Sequence, residues 1–302
     1  MPSELAPIAL FAHRRPDHLD RALRALSEST GAADSHLTIF CDGPRGAEDR
    51  DAVNEVRSVA NRWAEMKRFN RVSVVERPHN LGLSGSVIAG VSEVLAESET
   101  IVVLEDDLVV SHDFLSFMND ALVMYQDEEA VISVHGFTMN VDVDLPQTFF
   151  IRGADCWGWA TWRRGWDIFE SDAQDLMNRL EASGRENDFD FDGTFPYHTM
   201  LQEQLAGQVD SWAIRWYASA YLADKLTLYP GKSLVRNIGQ EGSGTHSVHR
   251  RSHAVEAGNV AAPLNRIEPM ESDVARQAFA RALASDLTPR WRTFLTGRRW
   301  FR

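Results

Sequence analysis

Two cysteines, Cys41 and Cys156, are all that 302 residues contain. That is too few for a disulfide scaffold or a zinc cluster, so both read as free thiols in a reducing compartment. No run approaches the ~18 consecutive apolar residues of a membrane-spanning helix. The start, Met1-Pro2-Ser3-Glu4, lacks a signal-peptide pattern. The expected location is therefore cytoplasmic. No Gly-x-Gly-x-x-Gly follows the first apolar strand, and no Gly-x-x-x-x-Gly-Lys phosphate loop occurs anywhere. The dinucleotide-binding and P-loop readings lose their main support. Positive charge is short too: 31 Lys and Arg stand against 44 Asp and Glu, a formal charge of −13. Such a balance argues against nucleic acid as a partner and suits a protein that holds a cation.

What is present is an ordinary apolar fraction, 44%, enough for a sizeable core in one large domain or two smaller ones. The first half alternates apolar runs with helical patterns. Residues 8–12, 37–41, 72–75, 101–104 and 131–134 read as strands. Helices with an apolar stripe are expected from Asp17, from Ser84 and after Ser111, and a long polar helix over about 47–69. Alternating strand and helix implies an α/β fold: a mostly parallel sheet with helices on both faces. The second half is less regular and aromatic, with six of the nine Trp between 157 and 216. Residues 226–230 look like a final strand, and 237–246 form a Gly-rich loop ending in His246. Residues 250–269 read as linker, and about 272–284 as a short helix. The segment 289–302 has five arginines, Trp, Phe and no acid, a composition suited to peripheral membrane contact. The same aromatics would equally pack on the domain.

Within this pattern Ile101-Val102-Val103-Leu104 runs straight into Glu105-Asp106-Asp107. Only a strand covered on both faces is apolar at every position. Three carboxylates at its mouth must reach water, a cation or a polar ligand, because burying one unpaired charge costs several kcal/mol. The carboxyl edge of a parallel sheet is where open α/β folds place ligands. Hard oxygen ligands favour Mn²⁺ or Mg²⁺, which take one or two carboxylates together with phosphate oxygens and water. A turn or helix cap accounts equally for Asp107 taken alone.

The segment 101–114 resembles the Glu-Asp-Asp strand of the N-acetylglucosaminyltransferase I family, inverting metal-dependent glycosyltransferases of the GT-A fold. Ile8 to Arg14 is similar to their first strand and nucleotide loop, and Phe40-Cys41-Asp42-Gly43 to their second strand end. Cys156-Trp157-Gly158-Trp159 resembles their acceptor-side loop, Asp210-Ser211-Trp212 their Asp-Asp-Trp segment, and Gly242 to His246 a late Gly-Val-Ser-His segment. Asn80 to Ser84 looks more like bacterial family 2 glycosyltransferases. The resemblance spans about residues 7–248. It implies a GT-A (Rossmann-like) domain over 1–250, with a nucleotide-sugar half, 1–135, and an acceptor half, 136–250. Residues 251–302 would then be linker, short helix and basic tail.

Carried over residue by residue, the resemblance implies these roles. Asp107 holds the divalent ion, which stabilises charge on the departing nucleotide. Glu105 and Asp106 contact the donor sugar and ribose. Asp42 accepts from the base of a UDP-linked donor, with Arg14 nearby. Asn80 and Ser84 line the same pocket, or are a plain loop and a helix cap. His246 is a late metal ligand or diphosphate contact, or neither. Trp157, Trp159, Trp162 and Trp212 face the acceptor side, or pack in the core. Asp210 is the general base; Ser211 stands where the family has its catalytic acid, which leaves another acid such as Glu203 open. The acceptor is a glycan, a glycolipid or a small molecule, as in surface polysaccharide or glycolipid synthesis. Two other readings compete: a nucleotidyltransferase, disfavoured by the glycine-free loop His13-Arg14-Arg15-Pro16, and a non-catalytic nucleotide-sugar-binding protein.

Overall fold

The computed structural model describes residues 5–239, 251–253, 255–260 and 263–286. In chain order the elements are β1 (Ile8–Ala12), α1 (Pro16–Ser27), β2 (His36–Cys41), α2 (Arg50–Glu65), β3 (Arg71–Glu76), α3 (Gly82–Glu97), β4 (Thr100–Glu105), β5 (Leu108–Val110), α4 (Phe114–Met124) and β6 (Val131–His135). There follow β7 (Thr148–Arg152), β8 (Trp159–Trp162), α5 (Arg163–Trp166), α6 (Ala173–Ser183), α7 (Glu186–Phe189), α8 (Tyr197–Leu205), α9 (Trp212–Leu222), β9 (Leu226–Pro230), β10 (Val235–Asn237) and α10 (Asp273–Asp286).

The main sheet has eight strands in the order β3-β2-β1-β4-β8-β6-β9-β7. β3, β2, β1 and β4 are mutually parallel, as are β6 and β9, while β8 and β7 run antiparallel to their neighbours. β1 shows why the sheet is covered twice. Ile8, Leu10 and Ala12 join the core under α1, α2 and α4. Ala9 and Phe11 join a second core under α3 and α9. Every position is therefore apolar, because successive side chains on a strand face opposite sides. Gly90 lets α3 lie close to β1: a Cβ there would sit 2.5 Å from the Phe11 ring.

The mostly parallel α/β reading holds, and the strands expected in the first half are present. Four strands escaped the sequence pattern: β5 in the first half and β7, β8 and β10 in the second. β8 (Trp-Ala-Thr-Trp) inserts between β4 and β6 and is buried at every position, so it shows no alternation. The expected linker is corrected over its described part: Ile267 N–H donates to Tyr125 Oη at 2.9 Å, and Glu271 bridges to Phe150 of β7. α10 then packs Phe279 edge-on to Phe149 and Tyr229. Residues 263–286 thus form part of the same core rather than an appendage. Among the described residues no helix is long and apolar enough to cross a membrane. The segment 289–302 lies outside the described residues.

Candidate active site

The three acids sit where the sheet's parallel half ends. β4 pairs with β1 through Phe11 opposite Glu105, and Asp106 N–H still donates to Phe11 O at 3.0 Å. The chain then turns into β5, which pairs antiparallel with β10. This pairing brings Ile238 N–H onto Asp107 O at 2.8 Å. It also lays Gly239 against the Asp107 carboxylate, where a Cβ would lie 2.2 Å from Oδ2.

Asp106 is 2% exposed. Glu105 keeps some surface but is deeply packed. Burial, then repulsion from Asp107 and Asp106, pushes its carboxyl up to about 8, against the pull of Arg15. Burial also leaves Asp106 at about 6, with Arg15 opposing.

One cation answers these acids, and the resemblance pointed to its neighbour. Arg15 Nη1 donates to Asp107 Oδ2 at 2.9 Å, and Nη2 donates to Asp106 Oδ1. Burial works against the guanidinium's charge, but the two carboxylates more than offset it and raise its pKa. Arg14 turns the other way, half-exposed, onto Asp49 at 2.8 Å. Arg14 therefore does not join the cluster. The local cause is Pro16 at the first helical position of α1, which leaves Arg15 as the helix cap without a capping side-chain bond. The Arg15 side chain is free to reach back across the sheet edge.

Asp42, at the end of β2, belongs to a neighbouring network. Its Oδ1 accepts from Gly43 N and Leu81 N, both at 2.9 Å, and its Oδ2 from Asn80 Nδ2 at 2.8 Å. Asn80 Nδ2 also lies 3.0 Å from Gly43 O, and His13 Nε2 lies 3.1 Å from that carbonyl. Burial lowers the His13 pKa, with Asp42 opposing. His13 N–H in turn faces Asp106 Oδ2 at 3.4 Å, which links the network to the acid cluster. A Cβ on Gly43 would strike the His79 backbone at 2.4 Å, so only glycine lets the two loops meet.

Asp210 is exposed and precedes Ser211, the N-cap of α9, whose hydroxyl accepts from Ile214 N–H at 3.3 Å. Arg215 Nη2 holds Asp210 Oδ1 at 3.0 Å and also donates to Ser84 Oγ at the start of α3. Ser84 is thus buried against Arg215. Glu203 lies partly buried on α8. His246 lies outside the described residues.

The tryptophans divide. Trp159 is fully buried and packs on Trp212 at 5.5 Å, Trp166 and Trp216. Trp212 is buried with it, and Trp162 donates through Nε1 to Leu122 O. These three pack in the core. The bulk that suggested a platform is the packing between α3, α9 and β8. Trp157 alone of the four borders open volume, beside Phe137 and His253.

Arg15, His13 and Arg215 are the site residues that sequence reading passed over. Arg15 carried a signal: it is the residue before Pro16, at the loop that β1 aims towards the β4 acids. Arg215 carried none, because its partners Ser84 and Asp210 lie 131 and 5 positions away.

Residues 47–171, from before α2 to before α6 and including the acid cluster, match the model of glycosyl transferase family 2. Over that segment, about two fifths of the chain, the sequence is similar to family 2 glycosyltransferases. Solved structures similar to it include S. aureus TarS, at 15% identity and a TM-score of 0.31 over 49% of this chain and 24% of that one. A cytidylyltransferase from Leptospira borgpetersenii serovar Hardjo-bovis gives 13% and 0.34 over 55% and 63%. A UDP-glucose pyrophosphorylase complexed with UDP-glucose gives 13% and 0.36 over 75% and 90%. The chain spans about a quarter of TarS. At these scores the structural likenesses carry no weight for the reaction.

Proposed function

We propose that the protein is an inverting hexosyl- or N-acetylhexosaminyltransferase. It moves a sugar from a nucleotide-diphosphate donor, with UDP favoured, to a hydroxyl of a glycan, glycolipid or small-molecule acceptor. The observation that carries this reading is the Glu105-Asp106-Asp107 cluster at the mouth of β4, inside the segment that matches the family model. Among the described residues no three His, Cys, Asp or Glu side chains form a ready-made metal cage. The cluster nevertheless fits Mn²⁺ or Mg²⁺: three carboxylates face one guanidinium, and such ions need only one or two protein carboxylates beside phosphate and water. Glu105 would contact the donor sugar, and Asp107 would hold the ion. When bound, it supplies Lewis-acid stabilisation of the leaving diphosphate.

The chain's own residues do the rest. Arg15, already spanning Asp106 and Asp107, presents a second positive group to the diphosphate. Asp106 takes the ribose. Asp42, fixed by Asn80 and Leu81, stands towards the base, and Arg14 lies outside it at the nucleotide loop. Asp210, oriented by Arg215, takes the proton of the incoming hydroxyl. The hydroxyl oxygen bonds to the anomeric carbon from the face opposite the diphosphate, and the electrons of the broken C–O bond leave with the nucleotide.

A thermal-shift panel of nucleotide sugars, with and without Mn²⁺, tests the reading. A donor that binds only the folded state raises apparent stability by RT ln(1 + [L]/Kd). The matching donor should shift wild type only with the ion and leave Asp107→Ala unmoved. Undiminished transfer by Asp107→Ala, or in chelator, would refute the metal-assisted step.

A further inference from the structure

Away from the acid cluster, a cavity of about 240 Å³ opens between residues 151–157 and helices α8, α9 and α10. Phe137, Trp157, Phe195, Tyr217 and Phe279 supply aromatic walls, and Met200 and Ala213 stand on one side. An apolar cavity near ~150 Å³ holds one benzene ring. By that measure this one holds a two-ring system or a ring with a short substituent.

Two charged groups border it. Arg152 is already committed, at 3.3 Å to Asp224 and 3.7 Å to Glu271. Asp155 keeps a third of its side chain exposed, with Oδ1 fixed by Cys156 N–H at 2.8 Å. Behind it stands His135, fully buried, its Nε2 3.6 Å from Asp155 Oδ2 and neither ring nitrogen hydrogen-bonded. Burial lowers the His135 pKa, with Asp155 opposing, so the ring is neutral and adds no positive charge. Asp155 is thus the carboxylate among the described residues that line the cavity, with His253 on the wall beside Trp157. Cys156 joins the two regions. It lines the cavity, and its thiol is pushed up by burial, by Asp155 and by Glu105 and Asp107.

The geometry points to an acceptor subsite for a neutral aromatic group that bears a hydrogen-bond donor, with the ring among the aromatic walls and the donor on Asp155. Stacked and edge-on rings favour an aromatic occupant over an alkyl chain. The carboxylate favours a hydroxyl or amine over an acid, which it repels. The subsite's role as acceptor site rests on the transferase reading; its capacity to bind does not.

The test is calorimetric titration of the full chain with 2-naphthol and with 2-methoxynaphthalene, which keeps the rings and loses the donor. Saturable binding of 2-naphthol is expected, about tenfold tighter than that of the methyl ether. Asp155→Ala should erase that preference while retaining ring binding. Met200→Trp should fill the space and weaken both ligands about tenfold. Ala213→Leu serves the same purpose should the larger side chain disturb folding. No saturable binding, equal affinity for the two ligands, or filled variants that bind as wild type would each overturn the proposal. Naphthol binding without any nucleotide-sugar shift would leave the cavity standing and remove the transferase reading. The reverse would do the opposite.

Discussion

Replacing Glu105 by Gln should stabilise the ion-free protein at pH 8 and leave it nearly unchanged at pH 5. The carboxyl's ordinary value is 4.5, and the fold pushes it up to about 8 through burial and the two neighbouring acids. Below pH 4.5 it is protonated in both states and contributes nothing to the pH dependence. Above that, the unfolded chain ionises while the folded one keeps its proton. The folded state then binds more protons, so stability falls as pH rises, until both forms are ionised above about 8. One pKa unit is ~1.4 kcal/mol, so the whole gap has a ceiling of about 5 kcal/mol. Roughly 4 kcal/mol of it is developed at pH 8. Gln cannot ionise and avoids this loss. At ~2–4 °C per kcal/mol, Tm should rise by roughly 10 °C at pH 8. The assay is Tm by circular dichroism at pH 5, 6.5 and 8, in chelator and in Mn²⁺. A bound ion favours the carboxylate, so Mn²⁺ should close the gap by stabilising wild type. Parallel pH profiles for the two proteins in chelator would show that Glu105 ionises freely and that the cluster is not starved of positive charge.

Two further outcomes follow from packing. Gly239→Ala would bring a Cβ onto Asp107 Oδ2, so Mn²⁺-dependent donor binding should weaken about tenfold while Tm barely moves; isothermal titration with UDP and Mn²⁺ checks it. Trp159→Ala should cost ~3–5 kcal/mol in urea unfolding, because the ring is fully buried among three other tryptophans. Trp157→Ala, at the cavity edge, should cost clearly less in the same experiment.

The part of the site legible in the sequence is the part that one strand carries. Ile101 to Leu104 had to be buried on both faces, and three acids at the exit of such a strand needed water, a cation or a polar ligand. The loops after β1 and β2 were legible for the same reason, since parallel strands present their exits together. What the chain concealed was pairing across distance. That Arg15 rather than Arg14 faces the acids rests on a single residue of register, which only the adjacent Pro16 marks. Nothing local separates Trp157, on a cavity, from Trp159, in the core, since both stand in one Trp-Gly-Trp. β8 was hidden because Trp-Ala-Thr-Trp shows neither alternation nor the β-branched aliphatic run that marked β4.

The Arg15 bridge also bears on how the site changes state. Two of the three carboxylates already share its guanidinium, so a cation approaching Asp107 competes with Arg15 for the same oxygen. An arriving diphosphate reverses the balance. It adds negative charge that Arg15 answers as well as Asp107 does, and a planar guanidinium matches phosphate oxygens in pairs. On the proposed reading, the lowest-energy arrangement with donor present would therefore move Arg15 from carboxylate to phosphate and leave Asp107 to the ion. On this logic, ion and donor each bind weakly alone and well together, since each relieves the charge that the other leaves uncovered.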